Sequence, residues 1–184
     1  IFDRIAILGV GLIGASIARA AREYGAVGAI ALYDASPDVR ERARALGLGE
    51  VFDDAERAVA QADLVVLAVP VGAMGAAAAA CARGLKIGAI VTDVGSVKQA
   101  VVDAVAAALP TSVYFVPGHP LAGTEHSGPD ASFATLFQNR WQILTPLPGQ
   151  TDAYAAAVDR LEAFWRALGA NVERMDAERH DVVL

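Results

Sequence analysis

The 184-residue sequence has one cysteine, no basic run, no internal repeat and no low-complexity linker. Each absence narrows what the chain can be. Cys81, inside "GAAAAACARG", has no partner for an internal disulfide, and its alanine neighbours suit a small buried apolar residue better than a reactive thiolate. That usage fits a reducing cytoplasm. Fifteen basic against twenty-one acidic residues give a formal net charge of -6, so nucleic acid would find no cationic footprint. The run from Ile1 enters a strand directly, without the basic and apolar regions of a signal peptide, and reads as a trimmed segment. Residues 64–82, "LVVLAVPVGAMGAAAAACA", are uncharged and close to spanning length. Pro70, Gly72 and Gly75 interrupt them, and the β-branched first half and alanine-rich second half suit a buried strand, a turn and a helix instead of a membrane span.

What is present is 55% hydrophobic, enough for one ordinary globular unit. Short apolar runs at 4–9, 29–34, 63–69, 88–94 and 112–118 alternate with stretches of helical composition at 12–24, 37–47, 55–61, 72–83 and 96–108. Continuous apolar strands between helices imply a parallel sheet covered on both faces, the doubly wound α/β class. Ser36 before Pro37 reads as a helix cap, and Gly169 as a stop after a helix over 151–168. Strands at 141–146 and 171–175 would extend the sheet. The domain is expected to end near residue 175, with 176–184 opening a further helix.

Three segments carry chemistry. In "ILGVGLIGAS", Gly9, Gly11 and Gly14 have the G-x-G-x-x-G spacing between a strand and a helix, so residues Gly9, Val10, Gly11, Leu12, Ile13 and Gly14 would cradle a pyrophosphate at the helix N-terminus. Asp34, twenty residues after Gly14 at the end of the second strand, would bind the ribose hydroxyls of NAD and repel the extra phosphate of NADP. Val69 and Pro70 end a strand where backbone passes over such a cofactor; packing alone would also explain them. "TDVGSVKQ" offers Ser96 as a helix cap and Lys98 as either a solvated or a catalytic lysine. "VPGHPLAGTEHSG", residues 116–128, follows the fifth strand and so emerges at the carboxyl edge, where such sheets bind ligands. There His119, fixed between Gly118 and Pro120, shares an edge with Thr124, Glu125 and Ser127, which favours proton handling over a merely satisfied histidine. His126 reads as a solvated loop residue. No spacing in the loop suggests a metal site.

Taken together, "GVGLIGAS", "DVGSVK" and above all "GHPLAGTEHSG" resemble the prephenate/arogenate dehydrogenases of tyrosine biosynthesis. The resemblance implies a Rossmann domain performing NAD-linked oxidative decarboxylation of a cyclohexadienol. His119 would draw the ring hydroxyl's proton, Ser96 would bond both hydroxyl and histidine, and Thr124, Glu125 and Ser127 would lie near the substrate. It also implies a C-terminal helical domain that supplies a substrate-binding arginine and most of a homodimer interface. Within the chain itself, Lys98 and Arg140 are the evident cations near the loop. A related imine or 3-hydroxyacid reductase, and a non-catalytic nucleotide-binding module, are the alternative readings.

Overall fold

A computed structural model describes residues 1–184. Six strands form a parallel sheet: β1 (Phe2–Leu8), β2 (Val27–Tyr33), β3 (Glu50–Val51), β4 (Leu64–Leu67), β5 (Ile90–Asp93) and β6 (Tyr114–Phe115), in the order β3-β2-β1-β4-β5-β6. This is the doubly wound Rossmann arrangement, with the order reversing between β1 and β4. Side chains alternate across each strand, so each face has its own core. Ile5, Ile7, Leu32, Leu64 and Val66 pack towards α1 (Leu12–Glu23) and α6 (Asp152–Ala167), against Ile17, Leu161, Phe164 and Trp165. Ala6, Leu8, Val65, Leu67 and Val91 face α3 (Ala55–Val59), α4 (Met74–Cys81) and α5 (Gln99–Ala106). Cys81 is fully buried there, and burial pushes its thiol up to about 11, the opposite of what a reactive thiolate needs.

Local rules set most boundaries. α2 (Pro37–Leu46) begins with Pro37 in its first turn and the Ser36 hydroxyl accepting from Val39 N at 3.3 Å, and it ends at Gly47 in the left-handed region. The uncharged stretch 64–82 divides into β4, a short 3-10 turn and α4. No helix is long and apolar enough to cross a membrane.

The later strands do not extend the sheet. β7 (Gly118–Pro120), β8 (Trp141–Leu144) and β9 (Asn171–Arg174) form a separate three-stranded sheet in which β7 runs antiparallel to β8 and β9 parallel to it. The cause lies at Pro117 and Gly118. Val116 N still bonds to Val91 O, but Pro117 has no N–H to continue the ladder. Gly118 then gives its N–H to the Asp93 carboxylate at 3.1 Å and its carbonyl to the Lys98 ammonium, so side chains replace the strand partner. A Cβ at Gly118 would lie 2.6 Å from Gln142 Nε2 and 3.2 Å from the Asp93 carbonyl oxygen, so a larger residue would displace the Gln142 amide. The chain ends in α7 (Ala177–Val183), capped by Asp176, whose carboxylate accepts from Arg179 N at 2.7 Å.

Candidate functional site

The glycine turn lies at the switch in strand order. Gly9 has φ +99°, and a Cβ there would sit 2.4 Å from the Ala68 carbonyl oxygen; one at Gly14 would sit 2.0 Å from the Gly9 carbonyl oxygen. Gly11 differs, because nothing lies within 4 Å of where its Cβ would be. Two of the glycines therefore close the turn, and the third leaves open space above the N-terminus of α1. That end has no side-chain cap and no acidic residue in its first turn, so its free N–H groups and positive dipole end are available to a phosphate. Val10 is buried, while Leu12 and Ile13 are half-buried at the mouth of the turn.

Asp34 is oriented by two backbone donors: Val10 N bonds to Oδ2 and Ser36 N to Oδ1, each at 2.9 Å. It lines a cavity of about 270 Å³ with Gly9, Tyr33, Val69, Ala73 and Ala77, a mostly apolar lining. Arg40 donates to the Asp34 main-chain carbonyl at 2.8 Å and to Asp53 at 3.1 Å, and Arg42 pairs with Asp130, so neither arginine bonds to the Asp34 carboxylate. Pro70 is exposed at the rim. The residues present thus fit a dinucleotide. A larger hollow of about 450 Å³ beside Arg19 and Arg22 lies away from this turn, and both guanidinium groups are bonded, to Ser132 Oγ and to the carbonyls of Gly47 and Leu48.

The second half of the site surrounds β7. His119 pairs in register with Ile143, so its backbone is part of a strand and not a loop. Its imidazole Nδ1 lies 2.8 Å from Nε2 of His180, with the rings edge-on at 5.1 Å between centroids. Burial first, then the charges of His180 and Lys98, lowers the His119 ring from 6.5 to about 4, which keeps it neutral at physiological pH. His180 is fully buried, and its Nδ1 is 2.9 Å from Asp181 Oδ1. Burial alone would raise the Asp181 carboxyl, but the backbone N–H groups of Gln99 and Lys98 and the His180 ring outweigh it and hold it below the ordinary value.

Two expectations, an accessible Lys98 and a Ser96 cap on α5, are corrected. Lys98 is neither solvated nor available to a substrate: it is fully buried, bonded to Asp93 Oδ2 at 2.5 Å and to the Gly118 carbonyl. Burial is the largest influence on both partners, pushing the Asp93 carboxyl up and the Lys98 ammonium down, while each pulls the other back. Ser96 does not cap α5. The helix starts at Gln99, and the Asp181 carboxylate, from α7, accepts from Lys98 N at 2.8 Å and Gln99 N at 3.0 Å instead. Ser96 is exposed and makes no hydrogen bond to His119, whose ring partner is His180. Thr124, Glu125 and Ser127 are exposed on the loop after β7. Thr124 Oγ1 accepts from His126 N at 3.1 Å, and Glu125 sits 3.6 Å from the solvated His126 ring. Arg140 is exposed at the start of β8.

Sequence reasoning passed over His180 and Asp181 in "ERHDVVL". The only local signal was a histidine next to an acid on a short helix, a pattern that is ordinary on a solvated face.

A doubly wound sheet with an uncapped glycine turn at the switch point, a fixed carboxylate on the second strand and a neutral imidazole by the carboxyl edge defines a nucleotide-binding domain of the oxidoreductase type. The chain belongs to the family described as prephenate dehydrogenase, nucleotide-binding domain, whose model matches residues 17–174. It is 50% identical over 188 residues to a cyclohexadienyl dehydrogenase of Zymomonas mobilis, covering 100% of this chain and 62% of that protein. A prephenate dehydrogenase from A. aeolicus, solved with hydroxyphenyl propionate and NAD+, superposes with a TM-score of 0.86 at 34% identity, covering 98% of this chain and 62% of that one. An arogenate dehydrogenase from Synechocystis gives a TM-score of 0.83 at 29% identity, covering 97% and 61%. The chain therefore spans less than two thirds of the length of each of these proteins.

Proposed function

We propose that the protein carrying this domain uses NAD to oxidise and decarboxylate prephenate, arogenate or both, in tyrosine biosynthesis. The observation that carries this reading is the neutral imidazole of His119, held on a strand at the carboxyl edge in a chain of this family. NAD, when bound, supplies the hydride acceptor. The α1 N-terminus would hold its pyrophosphate, Asp34 its ribose hydroxyls, and Val69 with Pro70 its flank. His119 would take the proton of the ring hydroxyl as hydride leaves the same carbon. The new carbonyl then draws electrons from the para carboxylate, CO2 departs, and the ring aromatises. A base that is already neutral at pH 7 needs no prior deprotonation for this role. Ser96 would contact the substrate hydroxyl, and Thr124, Glu125 and Ser127 the rest of the ring substituents.

With Lys98 tied to Asp93, the chain's own cations leave a dianionic or zwitterionic substrate poorly matched, and a further helical domain following α7 would supply the remaining charge and a homodimer interface. A cytoplasmic setting suits the lone buried cysteine. The test is to assay the full-length protein with both substrates and both cofactors. Turnover of prephenate or arogenate with NAD is expected, and His119→Asn should lower kcat by ~10²-fold or more while leaving NAD affinity near its original value. Near-normal turnover in that variant would make His119 structural and overturn the reading.

A further inference from the structure

We propose that His180 and Asp181 are positioning residues that hold His119 in its Nδ1–H tautomer, leaving Nε2 as the bare nitrogen that accepts the substrate's proton. The proposal rests on the reading of His119 as the base and goes beyond it by fixing which nitrogen reacts and what sets it.

A chain of hydrogen bonds runs inward from α5 to the base. The Asp181 carboxylate takes Lys98 N on Oδ1 at 2.8 Å and Gln99 N on Oδ2 at 3.0 Å. Two backbone donors on one carboxyl group favour its ionised form, which can only accept. The contact of 2.9 Å between Asp181 Oδ1 and His180 Nδ1 therefore requires the proton on that ring nitrogen. When the His180 ring carries a single proton, that contact places it on Nδ1, and Nε2 presents only a lone pair. The atom facing that lone pair at 2.8 Å is His119 Nδ1, which must then donate. One proton remains on a neutral imidazole, so His119 Nε2 is left without one. No other hydrogen bond constrains the His119 ring, so this chain alone sets its tautomer. The backbone holds the base from the other side: Gly118 is bonded to Asp93 and Lys98, and β7 is paired with β8.

The full-length protein tests this with His180→Leu and His180→Gln. Leucine fills space but offers no acceptor to His119 Nδ1, whereas the glutamine amide oxygen can take the place of the lost Nε2. His180→Leu should lower kcat by ~10²-fold with KM for NAD unchanged, and His180→Gln should recover most of that loss. Asp181→Asn, whose amide N–H must face either Gln99 N or both Lys98 N and His180 Nδ1, should lower kcat by ~10-fold. Independently of turnover, ¹⁵N spectra of the histidine-labelled, cofactor-free protein should show His119 Nε2 unprotonated and Nδ1 protonated at neutral pH. Equal losses in the leucine and glutamine variants, or a protonated Nε2 in the parent, would overturn the proposal. If His180→Leu does not fold, the Asp181→Asn kinetics and the parent's ¹⁵N spectrum decide it. A parent that turns over neither substrate removes the functional reading, while the spectrum still judges the tautomer.

Discussion

Replacing Lys98 with methionine keeps most of the side chain's apolar stem and removes its charge from a fully buried pair. Asp93 would keep only two backbone donors, Gly95 N at 2.9 Å and Gly118 N at 3.1 Å, and the Gly118 carbonyl would lose its ammonium. Stranding one partner of a buried ion pair typically costs about 3–5 kcal/mol, because a charge without water and without its counterion remains. In a domain of this size each kcal/mol moves Tm by about 2–4 °C, so Lys98→Met should melt some 6–20 °C lower, a range of about 3–5 times that slope. Adding Asp93→Asn to Lys98→Met removes the stranded charge, and the double variant should be more stable than Lys98→Met alone. Urea melts of the parent, both single variants and the double variant give the coupling directly. A Lys98→Met protein within about 1 kcal/mol of the parent, or strictly additive single effects, would refute the view that the pair stitches β7 to the end of β5.

Other outcomes follow from the same geometry. Gly9→Ala should destabilise the fold, since its Cβ meets the Ala68 carbonyl in a left-handed turn, whereas Gly11→Ala should leave Tm unchanged and weaken NAD binding; equal melting of the two, measured alongside cofactor titration, would contradict this. Asp34→Ser should weaken NAD and narrow its advantage over NADP, because the carboxylate bonded to Val10 N and Ser36 N is lost; unchanged selectivity in titrations would count against Asp34 as the ribose residue. Because His119 is held down to about 4, kcat/KM should hold through the ordinary histidine range as pH falls and drop only towards about 4. The same depression removes stability as pH falls from 6.5 towards about 4, where the unfolded ring takes up a proton before the folded one. An acid limb centred near 6.5 would show that the imidazole is not shielded.

The glycine turn and Asp34 were legible because their requirements are local: a positive φ, a close carbonyl and a carboxylate at a strand end depend on residues within one strand–helix–strand unit. β7 was not. Three residues containing a glycine and a proline argue against a strand, and this one forms because Asp93 and Lys98, 25 and 20 residues earlier, take Gly118's backbone groups. Ser96 had the right composition for a cap, but Asp181, 83 residues beyond Lys98, took that place. Lys98 read as either solvated or catalytic, and it is neither, because Asp93 in the same motif is buried beside it. His180 left no trace in periodicity, since its partner lies 61 positions away.

The pairing of β7 with β8 is closed at both ends, by Thr145 N to Pro117 O at 2.9 Å and Leu121 N to Trp141 O at 2.8 Å. Residues Gly123 to Ser127, just beyond that clamp, are all exposed. The imidazole is thus anchored to a frame that the rim does not help to hold. Exchanges among those five residues should alter what an incoming molecule meets first without shifting the His119 ring. The rim is therefore free to change in sequence while the frame under the imidazole keeps its register.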